Sequence, residues 1–419
     1  MPSPHPRARR RKRRAAAWIA ATVLSGSASA QSVSDASRPV GFQAGPVVIA
    51  PSLTAGYSYE SNVFLQSEDA RPSSDQVLTL RPALLLTVPF SNSALRFGHT
   101  LSRVDYNRTR QIAGKTSNDA MADLTLRFGS LDTLGLAARH IAGVAETTSF
   151  DPGGDVRFQG IAYRLHTEGL SVSREVEGAR GYRFALSRNA LRFDRSIAVS
   201  FFDYRGVEGE AAYLQPVSSN TRLAFGYLAT RYDHFGVGSS PDPSGVDRTE
   251  SGDAVYTQVE SHLGPKQPYR VRVGWERLAF TGGASAKDFS GVIGQAALSA
   301  IAGGGTVFTV TALRQPYRSF STLHNFYVFD EVGGRVERPF QRGTSVGGNL
   351  AFSRNTYPEP AAGVRRQDRT VSLEGYANLA IRDHVVFRLS VVKRRKYSNY
   401  FGADYNDTAV FGGFVLGWI

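Results

Sequence analysis

Two kinds of residue grouping in this 419-residue sequence could in principle carry out catalysis. Gly343–Gly347 reads GTSVG and matches the G-x-S-x-G pattern of serine hydrolases. In those enzymes the nucleophilic serine lies at a turn from a strand into a helix, whereas Ser345 of this match lies at a short turn that enters a strand-like segment. The neighbours Asp233-His234 and Asp383-His384 could orient a general base, but no nucleophile is placed beside either pair. We therefore predict no catalytic residues, and a protein that is not an enzyme.

Cofactor and metal chemistry is not indicated either. The chain has no Cys, which excludes disulfides and thiolate ligands. It contains no H-E-x-x-H, no Walker loop and no dinucleotide-binding fingerprint. Acidic neighbours such as Glu68-Asp69 are too sparse for a calcium site. We predict no cofactor and no metal site.

A third set of residues places charges at every second position of strand-like segments. Residues 269–276 read YRVRVGWE, so charged side chains alternate with Tyr, Val and Trp. Alternation of this kind gives a strand one polar and one apolar face. If the apolar faces point outward, the polar faces line an interior. The resulting pore-lining candidates are Arg96, Asp123, Arg127, Arg183, Arg222, Glu260, Arg270, Arg272, Glu276, Glu374 and Arg388.

This set suggests two different roles for the interior. Seven positive groups against four negative ones would bias a water-filled lumen toward anions. Alternatively, the same groups form interior ion pairs that stabilise the wall without selectivity. Tyr163, Tyr256 and Tyr376 could belong to a lumenal sugar track, but the sequence favours packing against the wall.

The elements that must carry these faces are strands long enough to cross a bilayer. Segments of about a dozen residues are rich in Val, Leu, Phe, Tyr and Thr, and short turns alternate with long polar loops, one of them at 358–366. The pattern predicts an all-β protein, a transmembrane antiparallel up-and-down barrel of about 18 strands, with 16 as the alternative. An even strand count places both termini on one side, which we expect to be the periplasm. The short turns are expected at 90–93, 130–132, 175–180, 217–220, 265–268, 302–305, 340–343 and 382–383.

The N-terminus has the pattern of a cleaved secretory signal peptide over residues 1–30. A basic stretch in 1–14 precedes a mostly apolar segment, Ala15–Leu24, and then Ala28-Ser29-Ala30. The peptide takes with it seven of the thirteen net positive charges. The remaining charge is modest for the length, so nucleic acid is not an expected partner.

Three parts of the chain follow from these patterns. Residues 1–30 are the signal peptide, residues 31–46 a short periplasmic segment, and residues 47–419 the barrel. Export through the Sec route and closure in lipid together predict the outer membrane of a Gram-negative cell. Outer-membrane lipid and lipopolysaccharide are the expected surroundings.

The last predicted strand, residues 408–419, carries an alternating aromatic and aliphatic face. It resembles the β-signal that the barrel-assembly machinery recognises, although Phe411 lies where a polar residue is usual and Ile419 follows the aromatic residue. The resemblance implies that machinery as a partner. A closing strand that ends in an aromatic girdle explains the same pattern, and the two interpretations are compatible. The assembly-signal candidates are Gly413, Phe414, Leu416 and Trp418.

Residues 56–64 read GYSYESNVF at the end of the first predicted strand. This stretch resembles the opening signature of the beta-barrel porin 2 family. The sequence pattern of that family also matches Asp75, residues 80–82 (LRP) and residues 105–106 (DY). The resemblance implies an outer-membrane barrel of porin type, in a family whose members often occur beside exopolysaccharide genes.

The expected function is passive diffusion of small hydrophilic solutes. An interior at this strand number is too wide for wall side chains to fill. The alternative is an outer-membrane component of exopolysaccharide biosynthesis or secretion, which depends on the family resemblance alone. The expected cargo is therefore small hydrophilic solutes, or polysaccharide under the alternative.

Overall fold

The computed structural model describes eleven stretches of the chain. The predicted signal peptide and the signal candidate Trp418 lie outside them. The described residues are 41–109, 115–129, 132–144, 162–175, 179–193, 202–236, 248–262, 268–281, 287–319, 324–361 and 364–417.

Almost every described residue belongs to a long strand. The strands are β1 (Phe42–Ala44), β2 (Val47–Glu60), β3 (Asp75–Phe90), β4 (Ser93–Tyr106), β5 (Lys115–Phe128), β6 (Asp132–Val144), β7 (Ala162–Arg174), β8 (Gly181–Phe193), β9 (Phe202–Ser218), β10 (Thr221–Gly236), β11 (Arg248–His262), β12 (Pro268–Thr281), β13 (Phe289–Ile301), β14 (Val307–Arg318), β15 (Phe326–Pro339), β16 (Ser345–Ala361), β17 (Val364–Arg382), β18 (Val385–Ser398) and β19 (Tyr405–Gly417).

Three short 3-10 helices lie in the described connections, at Glu68–Ala70, Gly303–Gly305 and Gln341–Gly343. No helix in the described stretches has the length and apolar character needed to span a membrane.

Eighteen of these strands close into one antiparallel ring. The three-residue β1 pairs with β2, while β2 to β19 each pair with the next strand along the chain. β19 then pairs back onto β2, from Ala409 opposite Glu60 to Gly417 opposite Ser52. The prediction of an 18-stranded antiparallel barrel is confirmed, and the 16-stranded alternative is wrong.

The connections follow the predicted alternation with one exception. All eight predicted short turns separate consecutive strands where the sequence placed them. The long loop expected at 358–366 is wrong, because β16 and β17 continue past it. Pro360 pairs with Arg365 and Ala361 with Val364, so two residues separate these strands. We call the end of the barrel with the eight short turns the turn end and the other the loop end.

Strand alternation separates an inward from an outward face. Val273 and Trp275 on β12 point outward and are 56% and 48% exposed. Arg270 and Arg272, on the opposite face of that strand, contact residues of β9 and β11. Arg318 on β14 reaches Glu250 on β11, a contact between strands that are not neighbours in the sheet. Such contacts form only across the inside of the ring, which establishes the polar faces as inward.

The closing pair of strands meets at two glycines. Gly56 on β2 lies opposite Gly413 on β19, and the ring of Phe411 lies over Gly56. A Cβ on Gly56 would come within 2.2 Å of that ring. A Cβ on Gly413 would lie 2.7 Å from the Gly56 Cα and 2.8 Å from the Ala55 carbonyl oxygen. The seam therefore depends on two residues without side chains.

Candidate functional site

The inward face of the barrel wall is the candidate functional site. All eleven predicted pore-lining residues occupy inward strand positions in the observed registers. Arg96 and Asp123, for example, lie opposite each other on β4 and β5. Whether these residues line a conducting path stays a prediction.

Most of the predicted arginines are held in ion pairs. The Arg96 Nη2 lies 2.6 Å from the Asp123 Oδ1, and the Arg388 Nη2 lies 3.0 Å from the Glu374 Oε1. Arg183, Arg222, Arg270 and Arg272 also contact carboxylates. Arg127 is exposed near the turn end, and its guanidinium has no carboxylate partner among the described residues. The predicted positive excess is thus largely neutralised within the wall.

A dense group of charges lies near the turn end of β8 to β12. Glu175, in the connection after β7, accepts hydrogen bonds from Arg183 at 3.0 Å and Arg222 at 2.7 Å. Arg222 also donates to Glu260 at 2.6 Å, and Arg270 lies 3.5 Å from Glu260. Burial alone would raise the pKa of Glu175, but the hydrogen bonds and charges of its two arginines hold that pKa below its ordinary value. Glu175 therefore stays ionised at neutral pH and holds both arginines in place.

Three inward tyrosines share one arrangement, which we call the Tyr-Gly unit. The Tyr256 ring on β11 lies flat over Gly226 on β10, where a Cβ would come within 2.0 Å of the ring. Its hydroxyl donates to Glu210 on β9. The Arg272 guanidinium covers the other ring face at 3.9 Å from the centroid. The arrangement recurs with Tyr232, Gly206, Glu208 and Arg318, and with Tyr376, Gly347, Glu337 and Arg388.

Near the loop end, Arg318 on β14 contacts β10 and β11, which are not its neighbours in the sheet. The Arg318 guanidinium on β14 lies 3.3 Å from the Tyr232 ring centroid and donates to Glu250 at 2.8 Å. His234 lies 3.4 Å from the same carboxylate. Arg248 donates to the backbone of Ser319 and His324. These contacts cover the loop-end part of the wall with buried side chains.

The lumen wall is consequently asymmetric. The inward faces of β8 to β12, which we call the crowded wall, contain buried residues such as Arg183, Tyr232 and Gln258. The inward faces of β4 to β6, which we call the open wall, carry small and exposed residues. Met121 is 39% exposed there, and the Arg139 side chain is 43% exposed. Water therefore reaches the inside of the barrel along one side of its wall.

Several wall residues were missed by the sequence interpretation. Glu208, Glu210 and Glu250 supply carboxylates to the crowded wall, and Arg318 supplies a cation. For Glu208 and Glu210, alternation with Val207, Gly209 and Ala211 was the available signal. Their partners lie on other strands, and one sequence contains no sign of that pairing.

The sequence matches that suggested catalysis lie in structural positions. Ser345 begins β16 and accepts a hydrogen bond from the Asn378 amide at 3.0 Å, and a 3-10 turn precedes it. His234 is buried beside Glu250 and Tyr204. Among the described residues, no group of three or more His, Asp or Glu has the arrangement of a metal site.

Comparisons with known proteins show similarity to solved barrel structures alone. No protein-family profile and no curated protein sequence matches the chain, so the resemblance to the beta-barrel porin 2 family stays a prediction. The FrpB iron transporter of Neisseria meningitidis is 9% identical over 84% of this chain and 62% of its own, with a TM-score of 0.49. This chain therefore spans less than two thirds of that transporter.

Two proteins of Pseudomonas aeruginosa give similar values. The outer membrane protein opdK is 10% identical over 88% of this chain and 99% of its own, with a TM-score of 0.49. The siderophore receptor PirA is 9% identical over 91% and 81% of the two chains, with a TM-score of 0.48. Similarity at this level concerns the overall fold alone.

Proposed function

We propose that this barrel is an outer-membrane channel for passive diffusion of small hydrophilic solutes. The observation that carries the proposal is the open wall, where inward side chains such as Met121 and Arg139 are exposed to water inside the barrel. An interior at this strand number leaves space that wall side chains cannot fill. The crowded wall narrows that space from one side, so the proposed path follows β4 to β6.

The outward face supports the membrane placement in this proposal. On β12, Tyr269, Val271, Val273 and Trp275 point outward before Arg277 begins the charged region. A stretch of this kind, tilted as barrel strands are, covers about 20 Å of bilayer height. Outward aromatic residues lie at both ends, with Phe128 at the turn end and Tyr59 at the loop end. We place the turn end, and with it both ends of the barrel chain, in the periplasm.

We propose small solutes rather than polysaccharide as the cargo because the lumenal tyrosines are covered. A sugar track needs accessible aromatic faces. In the Tyr-Gly units, the wall covers one ring face and an arginine the other. The polysaccharide alternative predicts loss of surface polysaccharide on gene deletion, with unchanged solute uptake.

Two neighbouring alanines on β6 offer a matched test of the path. Ala137 points into the open wall, opposite Asp123 and Gly169, while Ala138 points outward, opposite Ala122 and Glu168. We expect Ala137→Trp to lower single-channel conductance in planar bilayers by about a third or more, because the indole occupies lumen volume. Ala138→Trp should leave conductance unchanged. Equal conductance in both variants and the wild type would contradict the proposed path.

Ion selectivity should depend on Arg127, the predicted arginine without a carboxylate partner among the described residues. We expect Arg127→Gln to move the reversal potential in a salt gradient toward cations by a few millivolts, since an exposed charge acts on passing ions. Arg272→Gln should have the smaller effect, because this pair lies against the crowded wall with side chains only 21% and 9% exposed and so is farther from passing ions. A larger shift for Arg272→Gln would show that the wall ion pairs set selectivity.

A further inference from the structure

The outward face carries an unbalanced group of cations on β14 to β18. Arg314, Arg354, Arg369, Lys393 and Arg395 point outward and are exposed, and we call them the cationic patch. Among the outward side chains described on these five strands, Asp330 carries the one carboxylate. It bridges the Arg314 Nη1 at 2.5 Å and the Arg354 Nη2 at 2.7 Å. Four positive charges remain uncompensated.

The register brings these cations close together. Arg354 lies directly opposite Arg369 on the neighbouring strand, where like charges oppose each other and destabilise the sheet. On β18, Arg395 lies opposite Val371, the first outward residue after Arg369. Lys393 lies opposite Leu373, the second outward residue after Arg369. An anion seated between these strands would relieve the repulsion. On β11 and β12, by contrast, outward charges of opposite sign face each other, with Arg277 opposite Asp253.

Directly beneath the patch lies a continuous apolar surface. The outward residues toward the turn end include Val332, Phe352, Leu373 and Val391, each about half exposed. A cation row immediately above an apolar face is complementary to a molecule with an anionic head and hydrocarbon tails. A free anion or a polar macromolecule would not use the apolar half of this surface.

We infer that the cationic patch binds the phosphorylated headgroup of a membrane amphiphile whose acyl chains lie against the apolar surface below. The inference rests on the membrane placement proposed above and not on conduction through the lumen. Arg354 and Arg369 contact the phosphates, since arginine forks match phosphate oxygens. Lys393 and Arg395 add charge at the edge of the same site.

The test uses the mature chain, purified in detergent, and diphosphorylated lipid A in mixed micelles as the probe. The patch variant is the triple substitution Arg354→Gln, Arg369→Gln and Arg395→Gln. The control removes the same charge from the outward face of β9, β10 and β12, through Arg205→Gln, Arg231→Gln and Arg277→Gln. Folding of both is verified by β-sheet circular dichroism, since each keeps the wall and the seam intact.

We expect the patch variant to bind the probe about 100-fold more weakly, as three cations that each contribute roughly fivefold would predict, while the control stays within about threefold of the wild type. Equal losses in both variants, or no loss in either, would overturn the site. The inference also fails if dephosphorylated lipid binds as tightly, or if millimolar inorganic phosphate displaces the probe. Because the readout is binding, a barrel without conductance would leave this result interpretable.

Discussion

Replacing Gly413 with valine is expected to prevent the barrel from closing. A Cβ at this position would lie 2.7 Å from the Gly56 Cα and 2.8 Å from the Ala55 carbonyl oxygen, so backbone rather than a flexible side chain would have to move. Forcing volume into a packed contact costs about 1–3 kcal/mol and more where the backbone resists. Folded barrel should fall to a minor fraction, measured by its heat-modifiable migration in gel electrophoresis.

The neighbouring Gly412 supplies the control. It points outward, and the closest atom to a Cβ there is the Phe387 Cζ at 3.8 Å, so Gly412→Ala should fold normally. Refolding the purified Gly413→Val variant into detergent, where no assembly machinery is present, tests the steric contact separately from recognition by that machinery. Failure of Gly413→Val in detergent supports the steric reason. Failure in cells together with normal refolding in detergent would instead make Gly413 part of a recognition signal.

Replacing Glu260 with alanine should cause a large loss of stability in the lumen wall. Glu260 is 11% exposed at its side chain and faces Arg183, Arg222 and Arg270. Its removal leaves three arginines with Glu175 as the nearby carboxylate. Breaking a buried ion pair from one side costs about 3–5 kcal/mol, and the urea midpoint of unfolding should fall accordingly.

An exposed ion pair provides the comparison. Arg103 and Asp105 lie 2.9 Å apart, with side chains 60% and 35% exposed. Asp105→Ala removes the same kind of charge but should cost less than about 1 kcal/mol, since water screens exposed pairs. If Glu260→Ala were as mild as Asp105→Ala, the arginines of the crowded wall would be solvated, and the wall would be more open than its geometry indicates.

The sequence predicts the barrel well because strand alternation survives wherever one face meets lipid. Tyr269 to Trp275 show the period directly, and turn residues mark the ends. The error at 358–366 arises where β16 and β17 extend beyond the apolar region. There the sequence PEPAAGVRR shows no alternation of apolar and polar residues, and Pro358 and Pro360 suggest a loop.

The wall chemistry is only half predictable. Which residues of a strand point inward follows from their odd or even position along it, and the eleven candidates lie on the inward face. Their partners do not follow, because Arg318 and Glu250 are 68 residues apart and lie on strands that curvature alone brings together. The Tyr-Gly units depend on exact cross-strand register, such as Tyr256 opposite Gly226. A one-residue shift in register would break them, and a single sequence does not fix register so finely.

The seam between β2 and β19 has a consequence for the order of folding. Every other ladder in the ring joins strands adjacent along the chain, whereas the seam joins Ser61 to Thr408, which are 347 residues apart. Loop-closure entropy opposes such a contact until the intervening hairpins have brought its ends together. We therefore expect the seam to form last, as the slow step, while the hairpins form early. Until then the edges of β2 and β19 stay unpaired, and this is the stage at which the chain is most exposed to aggregation.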